Sequence, residues 1–189
     1  NLIKNFNAEF KENKKYLIKG ESGSGKTTLI NLFLGFEKLD SGNIFINGKV
    51  CETEDILGKI SIVRQDIFLF NDTLRNNISL YEDVNDENIL KVLNTINLTK
   101  FSSVEGLDAM IENSGINLSG GEKRRIMLAR ALIRKKDVLI LDEPLANLDK
   151  NNAHLIEDLI LKINDVTLIV ISHTFSEEKL KEFDKIYSL

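Results

Sequence analysis

Apolar residues fall along this chain in two alternating patterns, and the alternation predicts most of its secondary structure. Short, nearly continuous runs at Lys15–Lys19 (KYLIK), Ile60–Val63 (ISIV), Val138–Leu141 (VLIL) and Thr167–Ile171 (TLIVI) have the composition of strands buried on both faces. Between them the apolar positions recur at helical spacing. Leu29, Ile30, Leu32 and Phe33 mark one helix, and Ile89, Leu90, Leu93 and Ile96 mark another within 86–98. Ile126, Leu128, Ala129 and Leu132 predict a third, starting near Ser119, and a fourth is expected near 153–163. Asn47-Gly48, flanked by Ile44–Ile46 and Lys49–Cys51, predicts a tight hairpin, because both residues accept the positive φ of a type I′ turn. Strands alternating with helices imply an α/β fold with a mostly parallel sheet covered on both faces. Residues 73–135 lack strand-like runs and read as a helical lobe inserted into a core formed by 1–72 and 136–189.

Composition narrows this picture without changing it. A chain of 189 residues, 42% hydrophobic, can bury the core of one α/β domain. No stretch approaches the roughly 18 consecutive apolar residues of a membrane span, and the first ten residues carry no leader pattern. The start at Asn1, without methionine, suggests a piece of something longer. Cys51 is the sole cysteine, so no internal disulfide is expected and a reducing compartment fits. A net charge of −4 gives no general attraction to nucleic acid, and Lys123-Arg124-Arg125 is expected to be a solvated helix face.

The candidate chemistry begins at Gly20-Glu21-Ser22-Gly23-Ser24-Gly25-Lys26-Thr27, which fits G-x-x-x-x-G-K-[ST] between a predicted strand and a predicted helix, with Thr28 next in line. Glycines let successive N–H groups turn toward a phosphate at a helix N-terminus, Lys26 brings a positive charge to the β- and γ-phosphates, and Thr27 offers a hydroxyl to Mg²⁺. A glycine-rich turn with an exposed lysine is the bland alternative, and the flanking strand and helix weigh against it. The run Val138–Leu141 then ends in Asp142 and Glu143. Ligands of open α/β sheets gather at the carboxyl ends of strands, and neighbouring strand residues point to opposite faces, so these two carboxylates are expected to differ in role. Asp142 suits Mg²⁺, and Glu143 suits the polarisation of an attacking water. Alone, an Asp-Glu pair after a strand is weak, because it is often a helix cap. Ser119-Gly120-Gly121-Glu122 has the S-x-x-E pattern of a capping box, and a serine with two glycines at a helix start also makes an anion site. Both readings hold together.

Leu118-Ser119-Gly120-Gly121-Glu122 resembles the signature sequence of ATP-binding cassette (ABC) proteins. The resemblance implies a RecA-like P-loop NTPase core with a small antiparallel hairpin and an inserted helical subdomain. It further implies that Ser119, Gly120 and Gly121 close over ATP held by a partner's phosphate loop. Gln65 matches the family's Q-loop glutamine, which implies contact with Mg²⁺ and water. Asp149, in Ala146-Asn147-Leu148-Asp149, matches the aspartate at the dimer seam, and His173 matches the switch histidine at the γ-phosphate. Standing alone, His173 would more often be a capping or surface residue; His154 has no matching motif and is left as surface. Residues Gln65–Phe70, Asp72–Ile78 and Gly115–Leu118 are similar to exporter-type cassettes, although Asn113 stands where a glutamate is usual. On the family pattern the strand with the adenine-stacking aromatic would precede Asn1, so Phe6 and Phe10 are expected in the core or in turns. Asp184–Leu189 resembles the strand after the histidine, with the family's last elements expected beyond it. The resemblance thus implies ATP, Mg²⁺, a second nucleotide-binding domain and transmembrane domains on the same parent polypeptide, at the cytoplasmic face of the cell membrane. A soluble ABC ATPase of DNA repair or translation is the alternative. It is disfavoured by the short Gln65–Ser119 interval, which leaves no room for a long coiled coil, and by the absence of basic excess.

Overall fold

Five strands in the order β4–β7–β8–β1–β9 form the sheet of the computed structural model, which describes residues 3–21, 23–50, 58–113 and 115–189. These strands are β1 (Lys15–Lys19), β4 (Ile60–Val63), β7 (Val138–Asp142), β8 (Thr167–Ile171) and β9 (Lys185–Ser188). The centre of β1 runs parallel to both neighbours, with Leu17 opposite Val170 on one side and Ile186 on the other. Both β1 and β8 lie inside the sheet, and Leu17, Ile18, Leu168, Val170 and Ile171 are all fully buried, as the apolar runs of strands covered on both faces require.

The described residues group into two compact units. The first comprises Asn1–Ile62, Lys136–Leu141 and Asn164–Leu189. Its core packs Tyr16, Ile18, Ile140, Ile169 and Ile171 of the sheet against Leu29 and Ile30 of helix α1 (Lys26–Phe33). Phe10 meets Tyr16, Phe33 and Tyr187 edge-on, with ring centroids 5.0, 5.9 and 5.5 Å apart, and Phe6 lies 6.1 Å from Tyr187. Both phenylalanines therefore pack on the core, as their sequence positions suggested. The hairpin of β2 (Phe45–Ile46) and β3 (Lys49–Val50) is antiparallel, with φ of 52° at Asn47 and 75° at Gly48. Cys51 and Ser22 lie outside the described residues.

The second unit comprises Val63–Lys135 and Asp142–Ile163. It is built from α2 (Leu74–Ser79), α3 (Asp86–Thr95), α4 (Val104–Leu107), α5 (Gly120–Leu132) and α6 (Lys150–Leu161). A two-residue ribbon, β5 (Asp72–Thr73) against β6 (Met110–Ile111), lies in a stretch whose sequence shows no strand. Two residues cannot carry a period-2 pattern, so the ribbon left no trace in the hydropathy. Asn77, 0% exposed, fixes the approach to α2: its side chain accepts from the Phe70 N–H and donates to the carbonyls of Phe70, Asp72 and Thr73. Arg130 donates to the Asn77 and Phe68 carbonyls and stacks its guanidinium 5.6 Å from the Phe70 ring centre. The architecture is a RecA-like P-loop fold with a mostly parallel sheet and an inserted helical subdomain.

One expectation fails here. Lys123-Arg124-Arg125 is not a solvated face: Arg124 is 2% exposed, and its neighbours are half-buried. Helix α5 buries Gly121, Arg124, Leu128 and Ala131, which recur at three- and four-residue spacing, so Arg124 sits on the inward stripe. A buried guanidinium needs acceptors, and backbone carbonyls of the same unit supply them.

Candidate functional site

In the first unit, β1 ends at Lys19 and α1 begins at Lys26, which leaves six residues to reverse the chain. Gly23 and Gly25 take φ of 82° and 101°, the left-handed region that costs an L side chain energy. A Cβ on Gly20 would meet the Ser24 hydroxyl, which would have to turn away to admit it. Gly25 is the N-cap of α1 and has no side chain to take up the first N–H groups of the helix. Those donors, with the positive end of the helix dipole, form the kind of cradle an anion fits. The Lys26 ammonium donates to the carbonyls of Gly20 and Glu21, each at 2.8 Å, so it folds back over the loop's own start. Thr27 is exposed and Thr28 half-buried. His173, also in this unit, is exposed in the turn after β8. Ser172 shapes that turn: its N–H donates to the Ile18 carbonyl, and its Oγ accepts from the Thr174 N–H.

The second unit holds the remaining candidates. Asp142 is the last residue of β7 and is half-buried. Glu143 is 6% exposed and adopts φ of 45°, a left-handed backbone that a glutamate takes only at a cost. Strand alternation therefore stops at Asp142, and a strained turn, closed by the Ala146 N–H to the Glu143 carbonyl at 3.1 Å, sets the direction of the glutamate. That turn leads through Asn147, also left-handed, to Asp149, which caps α6 by accepting from the Asn151 and Asn152 N–H groups. The Asn152 amide in turn donates to Asp149, and its Oδ1 lies where a Cβ on Gly121 would come within 2.5 Å. Any larger residue at Gly121 would require the Asn152 side chain to move aside.

Ser119 caps α5 in the capping box its sequence announced: its hydroxyl accepts from the Glu122 N–H, and Glu122 accepts from the Ser119 N–H. Burial tends to raise the Glu122 carboxyl, but the Lys100 ammonium and the Ser119 donors outweigh it and hold Glu122 below its ordinary value. Gln65 is exposed just beyond β4, and its backbone carbonyl accepts from Arg124 at 3.1 Å. Asn113 and Gly115 are both left-handed, with φ of 45° and 81°. Asparagine tolerates that region better than glutamate, a local reason for the residue that departs from the exporter pattern.

A family model described as ABC transporter matches residues 3–146 of the chain. The chain belongs to the ABC transporter family. It is 35% identical over 182 residues to the multidrug resistance-like ATP-binding protein MdlB of Buchnera aphidicola subsp. Schizaphis graminum, covering 93% of this chain and 31% of that protein. It is also 35% identical to an ATP-dependent lipid A-core flippase of Idiomarina loihiensis, over 92% of this chain and 31% of the relative. Among solved structures, a bacterial Atm1-family ABC exporter with ATP bound superposes with a TM-score of 0.79 at 28% identity, over 95% of this chain and 32% of the other. The chain thus spans about a third of the length of these relatives. It is an ABC ATPase domain, the part that binds and hydrolyses ATP.

The structure adds two residues of this ABC domain that motif reading passed over. Arg124 was hidden by charged neighbours, although the 121, 124, 128, 131 spacing was there to be found. Asn152 carried no sequence signal, because its role depends on the packing of α5 against α6.

Proposed function

We propose that this ABC ATPase domain is the motor of an exporter, working as one of two nucleotide-binding domains at the cytoplasmic face of a membrane. The observation that carries the reading is the match along nearly the whole chain to exporter and flippase relatives, in a chain that keeps Gly20–Thr27, Asp142, Glu143 and His173. The Gly20–Thr28 cradle takes the phosphates of ATP, with Lys26 supplying charge to the β- and γ-phosphates. Thr27 and Asp142 are hard oxygen donors of the kind Mg²⁺ accepts, and Gln65 offers an amide oxygen, the chemistry suited to an ion that keeps several waters. An Mg²⁺ ion held by these residues would supply neutralisation of phosphate charge. Glu143 is the general base that orients and polarises the attacking water, and His173 contacts the γ-phosphate. Ser119, Gly120 and Gly121 of one domain face the ATP held by its partner, and Asp149 lies at the seam between them.

Among the described residues no helix is long and apolar enough to cross a membrane. Transmembrane domains, on the same parent polypeptide, supply the path in this reading, and domain separation after hydrolysis drives them. The test is steady-state ATP turnover by Glu143→Gln in the full-length protein. Removing a general base lowers turnover by about 100-fold or more while nucleotide still binds. Turnover equal to wild type would remove Glu143 from its assigned role.

A further inference from the structure

Arg124 joins three segments that the motif assignments treat separately. It lies one turn into α5, the helix that Ser119 caps. One terminal nitrogen donates to the carbonyls of Arg64 and Gln65, at 3.2 and 3.1 Å, and the other donates to the carbonyl of Ala146 at 3.4 Å. A single planar group thus ties the start of the signature helix to the Gln65 turn and to the strained turn that begins at Glu143. All of these residues belong to the second unit.

Stability alone is a poor reason for such a residue. Burying a guanidinium is costly, and well-packed apolar replacements of buried ionic groups are often neutral or stabilising. Here the cost is not fully offset, because the Arg124 Nε is buried without a hydrogen-bond acceptor among the described residues. A rigid fork differs from a flexible side chain in one useful respect. Its three acceptors cannot move independently of one another, so a shift of α5 must be shared by the Gln65 and Ala146 turns.

We propose that Arg124 is a positioning residue for hydrolysis, which links the occupancy of the Ser119–Gly121 cradle to the placement of Gln65 and Glu143. The inference rests on the roles proposed above for those residues. The effect is expected in kcat, because the Arg124 hydrogen bonds hold the backbone of the turns on which Gln65 and Glu143 stand.

The experiment compares MgATP turnover and thermal unfolding of the full-length protein carrying Arg124→Met, Arg124→Lys, Leu128→Ala or Glu143→Gln. Leu128 is fully buried on the same helix face and is assigned no role in the reaction, so its truncation controls for simple loss of packing. Arg124→Met is expected to lower kcat by about 10- to 100-fold with KM within about threefold of wild type, as loss of alignment does. Arg124→Lys keeps the charge but cannot reproduce the planar fork, and should fall between Arg124→Met and wild type. Should Arg124→Met not fold, the lysine variant carries the test alone, with a kcat loss and an unchanged KM expected. A wild-type kcat in either arginine variant overturns the proposal, as does a rise in KM matching the fall in kcat. So does an equal kcat loss in Leu128→Ala at the same unfolding temperature. Undiminished turnover in Glu143→Gln is a separate outcome: it removes the general-base reading, and this proposal with it.

Discussion

Glu122 shows how one side chain can serve the fold whatever it does for nucleotide. Its carboxylate accepts from the Ser119 N–H while pairing with Lys100, and those partners hold its pKa below the ordinary 4.5 despite the burial that opposes them. A carboxyl depressed on folding stabilises the folded state fully above its unfolded pKa, and that contribution disappears as pH falls through the lower folded value. Glu122→Gln keeps an acceptor for the capping box but does not titrate. Thermal unfolding followed from about pH 6 to about pH 3 should therefore show wild type losing stability more steeply than Glu122→Gln below the ordinary carboxylate pKa. Parallel curves would show that the Lys100 and Ser119 contacts contribute nothing. The S-x-x-E pattern made this cap legible in the sequence, because every partner but Lys100 lies within four residues. Arg124 was illegible for the opposite reason. Its acceptors lie about 60 residues upstream and 22 residues downstream, and nothing local to Lys123-Arg124-Arg125 announces them.

At the scale of elements, the apolar runs identified strands and helices well but said little about what holds the loops between them. The segment from Phe68 to Thr73 is such a case: it has no regular structure until β5, and Asn77 and Arg130 organise it. Asn77 uses both ends of its amide on that segment's backbone, and it is fully buried. Arg130 adds donors to Phe68 and Asn77, and burial, with some repulsion from Arg134, lowers its pKa to about 10. Removing a buried partner costs the desolvation of whatever is left unpaired, about 1–3 kcal/mol for a neutral group. Asn77→Ala should lower the midpoint of urea unfolding accordingly. Asn77→Asp is the sharper case, since it keeps the acceptor for the Phe70 N–H but loses every donor and sets a carboxylate against three carbonyls. It should destabilise at least as much as the alanine variant at neutral pH. If Asn77→Asp matched wild type, the amide donors would be irrelevant to the loop.

For the whole molecule, the class of fold was legible and the strand order was not. Four apolar runs alternating with helices limited the chain to a mostly parallel α/β sheet, but the order β4–β7–β8–β1–β9 depends on pairings such as Lys15 with Leu168, more than 150 residues apart. The two proposed anion cradles belong to different units, Gly20–Thr28 to one and Ser119–Gly121 to the other. The proposed function requires that each be completed by a second copy or a second domain. Ser119→Asp separates that role from capping: aspartate is as good an N-cap as serine, so α5 keeps its start, yet the added charge repels a phosphate. Lys26→Ala disables the other cradle. If active sites are shared between two copies, each variant alone should hydrolyse ATP poorly. The mixed dimer holds one intact composite site of two, so it should recover about half of wild-type turnover. Mixing preformed variants without exchange would hide this, so co-expression with two distinct tags and purification of the mixed species is the measurement. Recovery shows that the Lys26 of one copy works with the Ser119 of the other. No recovery in the purified mixed dimer, or full activity of Ser119→Asp alone, would leave Ser119 a helix cap and nothing more.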